Sequence, residues 1–184
     1  DRVITVFFNG GNYMATTTVS YGSISIVDVT DVGELSVYPK GNLPLSIIYS
    51  PDQNSFMPNW QSSNLLLEPS IWYGGEQLSV TDNNVAITWS RREGIGAVEA
   101  LTDGETVSDG TLIINNERIP KGTLVVTKNK FTANSTMLTY IVTISYQEPT
   151  LKEAITAQGE ITFSMVKQAS TVKSATITGE SVFK

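Results

Sequence analysis

The strongest constraint on the fold is a strict alternation of side chains along residues 85–91, which read Val-Ala-Ile-Thr-Trp-Ser-Arg. Val85, Ile87 and Trp89 share one face of an extended chain, and the side chains between them are small or polar. A period of two predicts a β-strand with one buried face. A second alternating run, residues 137–146, supplies enough apolar side chains on one face to cover the Trp89 indole from across a sandwich. We take these two runs as the core of the protein.

Strand and turn signals continue along most of the chain at a spacing of roughly 8 to 12 residues, which is typical of a sandwich. Short apolar runs such as Leu65–Leu67 and Ile71–Tyr73 are separated by turn residues, here Glu68 and Pro69. Apolar residues three and four apart, the helical period, are never sustained, and the segment from Thr150 to Ala157 allows one helical turn at most. The sequence therefore predicts an all-β protein.

Trp89 and Tyr140 narrow this prediction to an immunoglobulin-like β-sandwich. In that fold a Trp lies on the third strand, and a Tyr lies two residues before the second half-cystine, whose place is taken here by Val142. The chain contains no Cys, so the predicted core depends on packing alone. Its expected members are Trp89, Tyr140, Val142, Ile87 and Phe163.

Three segments are predicted. Residues 1–42 form a β-rich N-terminal arm, which begins with a hairpin made by Val3–Phe8, an Asn-Gly-Gly-Asn turn and Thr16–Tyr21. The arm is interpreted as a small sheet, as an arm packed on the main domain or as strands lent to a neighbouring subunit. Residues 43–167 form the sandwich. Residues 168–184 form a connecting strand that leads toward a further domain.

Two missing residue types exclude most familiar active sites. The chain has no His and no Cys, so Ser-His-Asp triads, thiolate nucleophiles and His- or Cys-based zinc sites are excluded. The acidic loops show no spaced ligand series such as Asp-x-Asp-x-Asp-Gly, so no metal site is predicted. We expect no enzymatic activity, no catalytic residues and no cofactor. A hydrolase with two paired carboxylates is the weakest alternative, because any 18 acidic residues contain such pairs by chance.

The charge of the chain limits its partners. The formal net charge is −6 at pH 7, whereas duplex nucleic acid and anionic membranes attract basic surfaces. Nucleic acid is therefore not an expected partner. No run of about 18 apolar residues is present, so membrane insertion is not expected either. Arg91 and Arg92 are interpreted as a solvated strand end.

The candidate surface-binding residues are three aromatics. Phe56 and Trp60 lie in a polar, Pro-containing loop, and Tyr73 ends a predicted strand. Such side chains stack on sugars or anchor protein partners. The alternative for Trp60 is that it closes one end of the sandwich.

Most of the chain from Ile24 to Lys184 resembles a family of bacteriophage and prophage structural proteins with Ig-like domains. The strings that carry the resemblance occur in order and read SISIVDVTDVGELSV, IIYSPDQNSFMPNW, ITWSRREG, LTYIVTISY, and ITFSMVKQAS followed by ATITGESVFK. The resemblance implies a virion protein, associated with the tail or tail fibre, that presents or spaces domains and contacts the host surface. The resemblance provides no active site to carry over to this chain.

From these features we expect a structural protein of the extracellular particle that assembles with copies of itself and with other virion proteins. Exposed strand edges in the arm and tail would pair through main-chain hydrogen bonds. The alternative function is a carbohydrate-binding or host-surface adhesion module, whose partner is a host cell-surface glycan.

Overall fold

The computed structural model describes residues 3–9, 12–18, 33–151 and 153–169. The chain divides into two compact units, Asp1–Val32 and Gly33–Lys184. Strands are the main regular structure in the described residues of both units, and the prediction of an all-β protein is confirmed.

The described residues of the first unit form an antiparallel hairpin. Its strands are β1 (Val3–Asn9) and β2 (Asn12–Thr18), and Asn9 pairs with Asn12, so two glycines separate the strands. The predicted hairpin is confirmed, although its second strand begins four residues earlier than expected. A two-stranded sheet is marginally stable by itself in water.

The second unit contains twelve further strands and one short helix among its described residues. In chain order they are β3 (Leu35–Gly41), β4 (Ser46–Ser50), β5 (Ser55–Met57), α1 (Trp60–Ser63), β6 (Leu65–Tyr73), β7 (Glu76–Leu78), β8 (Val85–Glu93), β9 (Glu105–Val107), β10 (Ile113–Ile114), β11 (Glu117–Arg118), β12 (Leu124–Val126), β13 (Met137–Tyr146) and β14 (Ile155–Lys167). Within the described ranges, no helix is long and apolar enough to cross a membrane. Helix α1 lies outside the segment Thr150–Ala157, which is the segment where the sequence analysis allowed one helical turn at most.

Most strands in the described part of the second unit belong to two five-stranded sheets. One has the order β3-β6-β12-β9, with β7 also paired to β6, and the other has the order β5-β4-β14-β13-β8. All strand pairs are antiparallel except β4 with β14. Strands β10 and β11 form a separate small hairpin between β9 and β12.

Buried side chains from both sheets form one core. Trp89 is 7% exposed, and its Nε1 donates a hydrogen bond to the carbonyl oxygen of Gly122 at 2.9 Å. Of the other predicted core residues, Tyr140, Val142 and Phe163 are fully buried, and Ile87 is partly buried against them. The predicted core is therefore present.

The layer that covers Trp89 differs from the prediction. Residues 137–146 do not lie across the sandwich, because β13 pairs directly with β8 and Val142 is the register partner of Trp89. The opposite layer comes from the other sheet, whose buried members are Leu65, Leu67, Ile71, Leu124 and Val126. Alternation identifies the inward face of a strand but not which sheet the strand joins.

The predicted arm boundary at residue 42 is also displaced. Strand β3 pairs with β6 over its whole length, from Leu35 opposite Tyr73 to Gly41 opposite Leu67, and so belongs to the second unit. The two apolar runs predicted around Pro69 form the single strand β6. Of the predicted connecting strand, residues 170–184 lie outside the described residues.

Candidate functional site

The sheet with the order β5-β4-β14-β13-β8 carries an exposed row of three apolar side chains, Val166, Ile48 and Met57. Their exposed fractions are 56%, 46% and 71%. Ile48 is the register partner of both Val166 on β14 and Met57 on β5, so the three lie side by side across three strands. We call these residues the apolar row.

Strand alternation places the apolar row on the outer face of the sheet. Ile47 is 1% exposed and points into the core, so its neighbour Ile48 must point outward. The row lines a groove of about 700 Å³, together with polar residues that include Ser50, Ser55 and Gln168. Contiguous exposed apolar side chains with a polar rim are typical of protein interaction sites.

The geometry of β5 favours contact through the face of this sheet rather than through its edge. Strand β5 is the last strand in the order β5-β4-β14-β13-β8 and has three residues. Pro58 follows it directly and has no N–H group to donate. A short edge ended by Pro gives another chain few main-chain hydrogen bonds, whereas the apolar row remains open to a partner.

A buried charged cluster joins the two sheets on the side away from β5. The carboxylate of Glu105 on β9 is fully buried and accepts hydrogen bonds from the Tyr140 hydroxyl at 2.6 Å, the Thr102 N–H at 2.7 Å and the Thr102 hydroxyl at 2.8 Å. Arg91 approaches the same carboxylate at 3.6 Å and Lys130 at 3.8 Å. Burial, followed by the charge of Glu105, raises the pKa of the Tyr140 phenol.

This cluster corrects two interpretations drawn from the sequence. Arg91 is not a solvated strand end, because its side chain is 14% exposed and lies beside Glu105. Its neighbour Arg92 instead pairs with Glu160 at 3.0 Å on the outer face. Both oxygens of Glu105 accept hydrogen bonds, so we interpret the cluster as a structural link between the sheets. Across the described ranges, no group of three or more acidic residues is placed to hold a metal ion.

The prediction that Trp60 binds at the surface is wrong. Trp60 is 1% exposed, and its ring makes edge contacts with Phe131 at 5.6 Å and Phe163 at 5.2 Å between centroids. Helix α1 sets this orientation, because the side chain of Asn59 caps the N–H of Gln61. The alternative interpretation, in which Trp60 closes one end of the core, agrees with these contacts.

The other two predicted binding residues lie apart from each other. Phe56 is partly buried against Tyr49, with 4.8 Å between ring centroids. Tyr73 ends β6, packs on Tyr146 at 5.1 Å and accepts a hydrogen bond from the Gly33 N–H at 3.2 Å. The three aromatics therefore do not form one site.

Sequence reasoning also missed the apolar row, although the adjacent pair Ile47-Ile48 contained a signal. Two neighbouring apolar residues on a strand must point to opposite faces, so one of them is exposed unless both faces are covered.

No family model matches the chain, and neither the curated proteins nor the solved structures provide a match. The functional proposal therefore depends on the sequence, including the resemblance noted above, and on the fold.

Proposed function

We propose that the chain is a structural and assembly protein of a bacteriophage virion, associated with the tail or tail fibre, that presents an immunoglobulin-like domain. The resemblance of its sequence to phage structural proteins supports the assignment of the chain to the virion. The strand order of the second unit supports the domain type. The apolar row is the main observation in support of the assembly role.

Immunoglobulin-like sandwiches place their first, second, fifth and fourth strands in one sheet and their third, sixth and seventh strands in the other. The order β3-β6-β12-β9 corresponds to the first sheet, and β8, β13 and β14 correspond to the third, sixth and seventh strands of the other. Trp89 then lies on the third strand, opposite Val142, and Tyr140 lies two residues before Val142. This agreement supports an Ig-like assignment without a disulfide.

The apolar row would form the centre of a contact with a second copy of the chain. A stable protein pair buries about 1,200–2,000 Å² in total, and three side chains supply only the central part of such an area. We therefore expect weak association between two copies, which becomes stable when several copies assemble with repeated contacts. Weak individual contacts suit a protein that must remain soluble before assembly.

Sedimentation velocity of the full chain over a range of concentrations tests the assembly role. We expect concentration-dependent oligomers in the unaltered chain and a shift toward monomer in Ile48→Lys and Met57→Lys, because each variant places a charge in the row. Ala86→Lys is the matched control, since Ala86 is an exposed position on β8 at the opposite edge of the same sheet. Unaltered association in both row variants would contradict the proposal.

A second experiment tests the virion assignment. Antiserum raised against the chain should label particles purified from a culture that carries this sequence. Labelling found only in the particle-free fraction would contradict a place in the virion.

A further inference from the structure

Two exposed aromatic side chains lie together on the outer face of the other sheet. Tyr38 on β3 is 63% exposed, and Trp72 on β6 is 38% exposed. Tyr38 is the register partner of Ser70, and Trp72 is the register partner of Ser36. The two rings are therefore diagonal neighbours on one face of an antiparallel pair, close enough for both to contact one ligand.

Polar side chains adjoin this aromatic pair. The Ser70 hydroxyl accepts a hydrogen bond from Trp72 Nε1 at 3.0 Å, which restrains the indole. Gln77 on β7 is the other register partner of Trp72. Ser70 and Gln77 also line a groove of about 530 Å³, together with Lys40 and Glu68. The groove therefore adjoins the aromatic pair through Ser70 and Gln77, and its lining also includes apolar residues, namely Pro69, Leu78, Val80 and Pro120.

The groove continues along β6 into a second cavity of about 240 Å³, which shares Lys40 and Glu68 with the first. Thr123 lines this second cavity and is 1% exposed, and its Oγ1 has no hydrogen-bond partner in the described part of the chain. Buried hydroxyls normally have a hydrogen-bond partner. From Trp72 to Leu66, this face extends about 20 Å at roughly 3.3 Å per residue.

We propose that this face binds a neutral, linear oligosaccharide. The C–H faces of sugar rings pack against Tyr and Trp rings, and sugar hydroxyls pair with the hydroxyl, amide and charged groups of the groove. The charged residues that line the two cavities nearly balance, with Lys40, Lys121 and Arg118 against Glu68 and Glu117. A balanced lining favours a neutral sugar over an acidic one.

This proposal goes beyond the assembly role. The aromatic pair and its groove belong to the β3-β6-β12-β9 sheet, whereas the apolar row belongs to the other sheet. A variant of the apolar row should therefore leave sugar binding unchanged, and each proposal can fail without the other.

Binding of the full chain to a printed panel of neutral linear gluco-, manno- and xylo-oligosaccharides, followed by titration calorimetry, tests the site. We expect at least one of these sugars to bind, and Tyr38→Ala and Trp72→Ala each to weaken binding about tenfold. Trp72→Phe keeps a ring and should remain within about threefold of the unaltered chain. Ile95→Ala removes a fully exposed apolar side chain elsewhere and should have no effect.

Tryptophan fluorescence gives a second measurement that locates the bound sugar. The chain has three Trp residues, and Trp60 and Trp89 are buried, so acrylamide should quench chiefly Trp72. A bound oligosaccharide should protect Trp72 from acrylamide. Failure of every neutral oligosaccharide to bind, retention of acidic glycans alone, or binding that is unaffected by both Ala variants would each overturn the proposal.

Discussion

Replacement of Glu105 by Gln is expected to destabilise the protein strongly, because this carboxylate is the buried anion between the two sheets. Glu105→Gln preserves the shape of the side chain but leaves Arg91 and Lys130 without their buried counter-charge. These cations are 14% and 10% exposed, so water compensates them only in part. Removal of one partner from a buried ion pair typically costs about 3–5 kcal/mol.

The amide adds a second penalty at the hydrogen bonds. The carboxylate accepts from the Tyr140 hydroxyl at one oxygen and from Thr102 at the other. An amide replaces one of those acceptors by an NH₂ group, which then faces either the Thr102 N–H, which can only donate, or the Tyr140 hydroxyl, which must turn its own proton away in order to accept. We therefore expect a loss of at least about 3 kcal/mol in the free energy of unfolding.

Glu99→Gln is the matched control, because Glu99 also pairs with Arg91, at 3.7 Å, but is 59% exposed. An exposed pair contributes about 0–1 kcal/mol. Urea unfolding followed by circular dichroism measures the free energy of unfolding of both variants. The dependence of this free energy on urea concentration is compared between the variants, because a change in it would indicate a change in the unfolded state. Equal losses in the two variants, or a loss below about 1 kcal/mol in Glu105→Gln, would refute the reasoning.

Three further predictions follow from single features of the fold. The pKa of Tyr140 is raised by burial above the value of 10.0 for an unfolded tyrosine, so above pH 10 the unfolded chain loses a proton that the folded chain keeps. The free energy of unfolding should therefore fall as pH rises above 10. Tyr140→Phe lacks this proton, so its free energy of unfolding should fall less steeply, by about 1.4 kcal/mol per pH unit. Equal slopes in the two proteins would count against burial of the phenol. Gly122 has φ +84°, and a Cβ there would lie 2.5 Å from Cδ1 of Ile87, so Gly122→Ala should cost about 2–4 kcal/mol in a urea titration. Gly75→Ala serves as its control, with φ +87° and open space around the added carbon, and an equal loss there would assign the effect to the backbone alone. Removal of residues 1–32 should leave a cooperatively folding domain, since β3 lies in the second unit, whereas removal of residues 1–41 should destroy the transition measured by circular dichroism. Similar thermal transitions in the two truncated chains would show that β3 is dispensable.

Much of the second unit could be predicted from alternation alone. Residues 137–146 were expected to form a strand and form β13 over the same range, because every second side chain is apolar and large. Strand β6 was expected to break at Pro69. It continues because Pro69 lies opposite Pro39 in the register, at an antiparallel pair where two residues without N–H groups face each other. A single strand read in isolation cannot reveal such a partner.

The functional surfaces were harder to predict, for physical reasons that particular residues illustrate. Arg91 looked solvated because its buried counter-charge, Glu105, lies on another strand and in the other sheet. Trp60 looked exposed because it lies in a polar loop, whereas the cap at Asn59 turns it into the core. Ile48, Tyr38 and Trp72 became candidates only when the two sheets fixed which face of each strand is covered. Burial depends on tertiary packing, which local sequence patterns do not specify.

The central claim is that copies of this chain meet at the apolar row, and site-specific cross-linking tests it most directly. The sequence has no Cys, so Met57→Cys introduces a single thiol into the row and Ala86→Cys introduces one at the opposite edge of the same sheet. With a short bismaleimide, we expect Met57→Cys to give a covalent dimer in good yield and Ala86→Cys to remain monomeric. Equal dimer yields from the two variants, or no dimer from Met57→Cys at concentrations where the unaltered chain associates, would contradict the claim.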